Sequence, residues 1–441
     1  MAPNQSDQSP GDMFTITKST SNTLAPRLAR LALPGREVID TPHYIGLTSR
    51  GVIPHLSQDN FARLSSINGV YTPLEDCKFR PHDNPSRANA LTSLLTQLFE
   101  VIERKVPPIY LFRPPDGSSP LRRFTALPDR SLLVLGARRS PPVIAPPATS
   151  NTNDSIAVST LVGFKMLKAE DYAEAVEGLG ADIVLGLGDV PFGRALGSKR
   201  IVKATDRSIE WLQDHVARRK KHAAEAGTDL GRQGQLFAPL LPLTCANQQF
   251  YIECLVEELR NDISGLAIYS PETLEDLPAE LAPLPRLDFS EPMTPLQVLR
   301  QIANGIDIIT IPFISMVTDA GIALDFTFSG PPEISSEPLP LGVDLWSPSH
   351  ATDLSPLRSG CTCYACTDHH RAFLQHLLAA KEMLGWVLIQ VHNHHVMDEF
   401  FASIRASIAA GTFERDVETF SRCYDAELPE KTGQGPRCVQ T

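Results

Sequence analysis

Cys361-Thr-Cys363-Tyr-Ala-Cys366 places three thiols within six residues, and His392 follows after 25 intervening residues. Thiolates at C-x-C-x-x-C spacing can curl around one ion. A single imidazole from a following helix would complete a Cys3His tetrahedron, the arrangement zinc prefers. Four protein ligands close the coordination sphere and leave no position for water or substrate, so the ion expected here is structural. The local alternative is three structural thiols in a turn, although clustered thiols in a reducing cell are costly to leave unligated. Spacing alone does not single out the imidazole. His369 and His370 lie just after the thiols, His376 falls on the next helix between Phe373 and Leu377, and His394 and His395 adjoin His392. The other cysteines, Cys77, Cys245, Cys254, Cys423 and Cys438, are scattered singly. That pattern suits a reducing compartment in which thiols pack as small hydrophobes, and the cytosol is the expectation.

Such a centre would clamp the loop at 360–366 onto a helix running from about Gly385 to Ala410. Phe400, Phe401, Ile404 and Ile408 recur there at helical spacing, and a core-facing stripe is favoured over a partner-facing one. Upstream, prolines cluster at about 107–147, 271–295 and 331–356, and apolar runs of strand length alternate with segments of helical period between them. The strand candidates are Ser131–Leu135, Ile183–Leu187, Leu236–Leu243, Gly265–Tyr269 and Ile306–Ile311. The third is the weakest, being interrupted by Pro239 and Pro242. The helix candidates are Ala169–Leu179, Asp206–Lys221, Gln248–Arg260 and Pro295–Asn304, the last with Thr294 as N-cap and Pro295 at its first position. This alternation argues for an α/β fold with a mainly parallel sheet, and it reads equally as a (β/α)8 barrel or a doubly wound sheet. The Pro/Ser-rich segment from Gly330 to Ser359 reads as a flexible loop.

The chain has 441 residues, a formal charge of -11 and 42% hydrophobic residues, which excludes a basic nucleic-acid coat and wholesale disorder. No apolar run reaches the length of a membrane span, so the expectation is a soluble or peripheral protein. The basic run Arg218, Arg219, Lys220, Lys221 reads first as a solvated helix end complementing the dipole, with phosphate contact the lesser reading.

The block Pro356-Leu-Arg-Ser-Gly-Cys-Thr-Cys-Tyr-Ala-Cys366, with Arg371-Ala-Phe, His376-Leu-Leu and Val391-His-Asn393, resembles the zinc segment of tRNA-guanine transglycosylases. The resemblance selects His392 as the fourth ligand beside Cys361, Cys363 and Cys366. It continues in Asp40-Thr-Pro42, similar to an early barrel strand, and in Gly180-Ala-Asp-Ile-Val184, Gly265-Leu-Ala-Ile268 and Gly305-Ile-Asp307. The family fold is a TIM (β/α)8 barrel with a zinc-binding insertion near the C-terminus. The implied organisation is a disordered start over 1–13, a barrel over 14–410 that includes a zinc segment at 356–410, and a helical extension and tail over 411–441.

Exchanging guanine for queuine at a ribose C1′ with retention suggests two displacements, which need a carboxylate nucleophile and a second carboxylate or base. Catalytic relatives carry the nucleophile in a Gly-[Ile/Val]-Asp-Met-Phe-Asp-Cys run. This chain reads Gly305-Ile-Asp-Ile-Ile-Thr310-Ile311, so Thr310 stands at the nucleophile position. Ile314, Ser315 and Met316 replace a Pro-Thr-Arg. The region Leu132–Ser140 lacks the second carboxylate, and Tyr269 and Ser270 replace the pocket glycines. Asp307, Asp319 and Asp325 remain nearby, Asp307 with a structural role favoured.

No catalytic residue is therefore expected. The Leu357–Cys363 run and Asp206-Arg-Ser208 are most similar to the family's eukaryotic accessory branch. What this implies is one structural Zn2+ and a heterodimer with the catalytic subunit of queuine tRNA-ribosyltransferase. That complex would act at wobble position 34 of tRNAs with GUN anticodons (Asp, Asn, His, Tyr). The rival expectations are an active transglycosylase with displaced carboxylates and a queuine-binding salvage protein. The family's location is cytoplasmic, with some peripheral attachment to the mitochondrial outer membrane, for which the sequence shows no anchor.

Overall fold

A computed structural model describes residues 13–19, 24–64, 67–76, 114, 118–160, 163–190, 192, 196–226, 234–328, 330 and 337–436. Residues 1–12, Cys77, Cys438 and 331–336 lie outside the described residues. The strands are β1 (Phe14–Lys18), β2 (Leu28–Leu31), β3 (Ile39–Thr41), β4 (His43–Leu47), β5 (Gly69–Pro73), β6 (Leu132–Gly136), β7 (Ser155–Thr160) and β8 (Gly163–Lys168). They continue as β9 (Ile183–Leu185), β10 (Gln235–Leu240), β11 (Gly265–Ile268), β12 (Arg286–Asp288), β13 (Ile308–Thr310), β14 (Ile322–Leu324) and β15 (Gly342–Asp344). The described helices are α1 (Gln58–Leu64), α2 (Pro120–Phe124), α3 (Ala169–Leu179), α4 (Ser198–Ala226), α5 (Gln249–Glu257) and α6 (Pro295–Ala303). After them come α7 (Phe313–Asp319), α8 (Tyr364–Asp368), α9 (Arg371–Ala379), α10 (Met383–Ala410) and α11 (Phe413–Cys423).

Eight strands, β4, β5, β6, β9, β10, β11, β12 and β13, close on themselves, every neighbouring pair parallel. The sheet is a TIM barrel, which settles the choice that alternation had left open. Period-two alternation splits each strand: Ile45, Tyr71, Val134, Leu185, Phe237, Leu287 and Ile308 fill the interior, while Val70, Leu135, Val184, Leu236, Leu266 and Ile309 meet the helices outside. Gly265 must be glycine, because a Cβ there would lie 2.5 Å from the Phe237 ring. Local signals set the helices in register with the strands. Thr294 caps α6 by accepting the Gln297 N–H, with Pro295 next. At the other end of α3, Gly180 adopts φ 67° and stops the helix before β9.

The antiparallel sheet β1–β2–β3 covers the N-terminal end of the barrel and adds Leu31 and Ile39 to its interior core. Asp40-Thr-Pro42 is therefore outside the barrel: Pro42 has no N–H to continue a ladder, and the first barrel strand begins at His43. Two carboxylates pin this end. Asp307 takes Arg27 Nε at 2.8 Å and NH2 at 2.6 Å and the Arg286 N–H at 2.8 Å. Asp182 takes Arg36 Nε at 2.8 Å, Arg122 NH2 at 2.7 Å and the Leu133 N–H at 2.7 Å. Asp307 is thus a structural anchor, as the sequence favoured.

Past β13 the chain builds a second core. Residues 337–359 are not the loop expected of their composition: β15 pairs with β14, and Leu341, Leu345, Leu357 and Arg358 are buried. The stripe Phe400, Phe401, Ile404 and Ile408 is buried in the main core, and Phe413 and Phe420 of α11 join it beside Phe326 and Phe328. The basic run is not a helix end, since α4 continues to Ala226, and each cation has an acid partner: Arg218 with Glu170, Arg219 with Glu177, Lys220 with Asp262 and Lys221 with Glu225.

Two outcomes are expected. Asp307→Ala strands the buried Arg27 guanidinium and should lower unfolding free energy by about 3–5 kcal/mol, read by urea denaturation; a loss under about 1 kcal/mol would contradict the anchor. His43 is buried, Nδ1 has no hydrogen-bond partner among the described residues, and burial, assisted by Arg405, pushes its pKa down to about 3. The native imidazole stays neutral while the unfolded one protonates below about 6.5. Stability is therefore lost as pH falls from about 6.5 toward 3. Between pH 7 and 5 wild type should lose about 2 kcal/mol more than His43→Leu; parallel profiles would refute the assignment.

Candidate functional site

Cys363 is the N-cap of α8 and receives the Cys366 N–H on its Sγ, which folds the C-x-C-x-x-C turn back on itself. His392 projects from the middle of α10 into this turn. Its Nδ1 lies 3.7, 3.4 and 3.3 Å from the Sγ atoms of Cys361, Cys363 and Cys366. Tetrahedral ligation with ordinary Zn–S and Zn–N bonds requires S···N separations of about 3.6 Å. All four donor atoms lie within 4.8 Å of one another. His392 Nε2 donates to Leu324 O at 2.8 Å, which fixes the ring and leaves Nδ1 as the atom that faces the thiols. Burial disfavours the imidazolium, but the hydrogen bonds and charge of Cys361 and Cys366 outweigh it and push His392 up to about 9. Hydrogen bonds from Cys363 and Cys366 pull the Cys361 thiol strongly down. Three thiols and one imidazole nitrogen converging at these separations can hold a metal ion with the donor set of zinc.

The other histidines fall elsewhere. His370 caps α9, accepting the Phe373 N–H at 3.2 Å. His369 stacks on Phe373, and His376 lies near the end of α9. Neutral His394 is bound by Tyr44 Oη at 3.1 Å and Gln390 Nε2 at 3.1 Å. His395 comes closest, its pKa raised first by a hydrogen bond with Cys361 and further by Glu399. Glu399 also holds Arg358, which donates to Phe326 O at 3.1 Å, so the ligand turn is braced from outside.

The C-terminal end of the barrel offers a different chemistry. Thr310 is fully buried, and its hydroxyl donates to Asp288 O at 2.9 Å. Asp319 pairs with His55 at 2.6 Å, and Asp325, raised by burial, stands beside Arg371 at 4.0 Å. The three acids that the sequence left in question are thus spread over the barrel floor, the end of α7 and the loop after β14. Acids that sequence reasoning passed over occupy the mouth. Asp288 is pushed up to about 7 by burial, against hydrogen bonds from Ser290. Glu291, also raised to about 7 by burial, lines the mouth cavity. Glu75 is raised by burial although it accepts the Arg139 and Ser159 N–H groups. Their signal was positional, an acid at or just past a strand end, visible only once the strands are placed.

The mouth itself is filled. Phe289 packs edge-on to Tyr71 at 4.9 Å and stacks on Tyr269 at 5.6 Å, and Phe192 meets Tyr269 at 6.3 Å. Arg138 lies over Phe192 at 5.2 Å. The remaining cavity is about 30 Å³, room for a water or two rather than a purine.

A closed parallel barrel followed by a Cys3His turn defines the class to which this chain can be compared. The chain belongs to the queuine tRNA-ribosyltransferase family, whose profile matches residues 116–426. It is 33% identical over 424 residues, 95% of this chain and 86% of the relative, to a Schizosaccharomyces pombe protein named queuine tRNA-ribosyltransferase accessory subunit 2. Proteins of the same name from Drosophila grimshawi and Xenopus laevis are 27% and 24% identical, covering 90% and 92% of this chain and 89% and 98% of the relatives.

Purified protein should carry about one zinc per chain by elemental analysis. Cys363→Ala and His392→Ala should lose metal and solubility together, and a well-folded variant with its full metal content would refute this ligand set.

Proposed function

We propose that this chain is the non-catalytic accessory subunit of a queuine tRNA-ribosyltransferase heterodimer. The complex exchanges guanine for queuine at wobble position 34 of tRNAs with GUN anticodons, and the catalytic subunit performs the chemistry. The observation that carries the reading is Thr310: at the strand end where the family resemblance puts the nucleophile stands a buried hydroxyl already donated to Asp288 O at 2.9 Å. A retaining displacement needs two carboxylates about 5 Å apart across the reacting sugar. Among the described residues only one carboxylate, Glu291, lines the mouth cavity. The aromatic filling supports the same conclusion, because a base has no room to enter.

The metal centre holds one structural zinc. Cys361, Cys363, Cys366 and His392 saturate it, and its role is to bind the 360–366 turn to α10. The chain then contributes surface. A diverged copy of a catalytic chain can take the second half of a pseudo-symmetric dimer, and support tRNA through shape and backbone while its partner reacts. The complex works in the cytoplasm, with peripheral attachment to the mitochondrial outer membrane. No described helix is long and apolar enough to cross a membrane.

The test is exchange of labelled guanine into a wobble-G tRNA by this chain alone, by the catalytic partner alone, and by both. Activity confined to the mixture is expected. Exchange by this chain alone would overturn the reading of Thr310 and assign the chemistry to a displaced carboxylate. Binding of queuine to this chain alone in a calorimeter would instead support a salvage role.

A further inference from the structure

Beside the filled mouth lies a second cavity of about 280 Å³, between the loop at 143–151 and the start of α4, close to the lower bound of about 300 Å³ for ligand clefts. Arg138, Val190 and Phe192 form the wall between the two cavities, lining both. Because α4 follows β9, this groove opens on the face where the barrel strands end. Its charge is unbalanced. Asp189, fully buried, binds Arg200 at 2.7 and 2.6 Å and Arg207 at 2.9 Å, so one carboxylate meets two guanidiniums. Arg138 donates to Ala157 O at 3.1 and 2.9 Å and to Asn151 Oδ1 at 3.1 Å, so its direct acceptors are neutral, while Glu75 and Asp189 act on it only through space. The amino end of the 29-residue α4 adds the positive pole of its dipole at Gly197, where a Cβ would meet nothing within 4 Å.

The opposite wall is apolar. Val143, Pro146 and Leu196 line the groove, and Val143 is 43% exposed. The hydroxyl oxygens of Thr149 and Ser150, which donate to Pro146 O and Pro147 O, keep lone pairs for an incoming N–H. An excess of cations against one wall, an apolar ledge on the other and hydroxyl acceptors at the rim match a single nucleotide. A nucleotide joins an anionic phosphate to a flat base with polar edges.

Resting on the accessory-subunit reading, we infer that this groove seats one unpaired nucleotide of the tRNA held by the complex. Its phosphate lies on Arg200 and the start of α4, and its base lies against Val143, Pro146 and Leu196. The seat replaces the closed mouth as this chain's contact with RNA. It is built by side chains that the exchange chemistry does not use.

The experiment uses the complex with the catalytic partner and a wobble-G tRNA. Arg200→Gln removes the phosphate contact. Val143→Asp leaves the Arg200–Asp189 pair intact and places a carboxylate in the groove, at a surface position that tolerates it. Both variants should raise KM for tRNA about fivefold or more at unchanged kcat. For Arg200→Gln the slope of log affinity against log salt should also become shallower by about one. Stimulation of the partner by wild type, with both variants matching wild-type KM, overturns the seat and leaves the accessory reading standing. No stimulation by wild type overturns the accessory reading itself. Inorganic phosphate titrated into the same complexes separates the sources: binding of free phosphate lost in Arg200→Gln, with tRNA KM unmoved, would make this a site for small anions and refute the nucleotide seat.

Discussion

The pairing of β13 with β4 closes the barrel, and the placement of every functional group depends on it. Ile308 pairs with His43, Ile309 with Tyr44 and Thr310 with Ile45. Ile308 points into the barrel and Ile309 out to the helices, so a slip of one residue would turn both the wrong way, at the cost of a fully packed interior. The register that satisfies the core is therefore fixed without reference to chemistry at the mouth. It brings the residue at 310 to the inner rim, where the available acceptor is the carbonyl of Asp288 on the neighbouring strand.

The two ends of the barrel then diverge in electrostatic character. At the floor, Asp182 and Asp307 are matched by arginines and backbone N–H groups with short bonds. At the mouth, burial raises Asp288, Glu291 and Glu75 instead. There the loss of hydration outweighs the donors that remain, the Arg139 guanidinium at 3.2 Å from Glu75 included. Raised carboxylates at barrel strand ends are the usual mark of catalysis. Here the aromatic packing of Tyr71, Tyr269 and Phe289 leaves them no substrate-sized space, so burial behind those rings is enough to account for the shift.

Much of this was legible in the sequence. Interior barrel strands are short apolar runs, and Ile183–Leu185, Gly265–Ile268 and Ile308–Thr310 stand out because turn residues bound them. Ala169–Leu179 was readable to the residue because Gly180 ends it. The doubt over Pro239 dissolves in the structure: pairing of β10 with β9 stops at Phe237, so no ladder bond on that side needs a proline N–H. The segment 337–359 was misread because its prolines hid an alternation in which Leu341, Val343 and Leu345 recur at period two. The metal turn was legible because three thiols in six residues have few other uses, yet spacing could not choose among six histidines. That choice rests on long-range geometry, since Leu324, which orients His392, is 68 residues away.

The same geometry explains why the metal centre is tied to the barrel rather than hung upon it. α10 is buried on nearly every side between Gly385 and Phe401, and His392 and Asn393 are polar side chains in that stretch. Unpaired, each would cost about 1–3 kcal/mol. Asn393 is satisfied by the Leu324 N–H, Thr318 Oγ1 and Ile322 O, and His392 by Leu324 O on one side and the thiols on the other. The His-Asn pair thus stitches α10 to α7 and β14, the elements that follow β13. Without an ion the turn would keep three thiols and an imidazole packed together in the second core, against the elements that follow the strand closing the barrel. A metal ion held by this cluster would therefore act on the fold as a whole, whether or not the mouth performs any reaction.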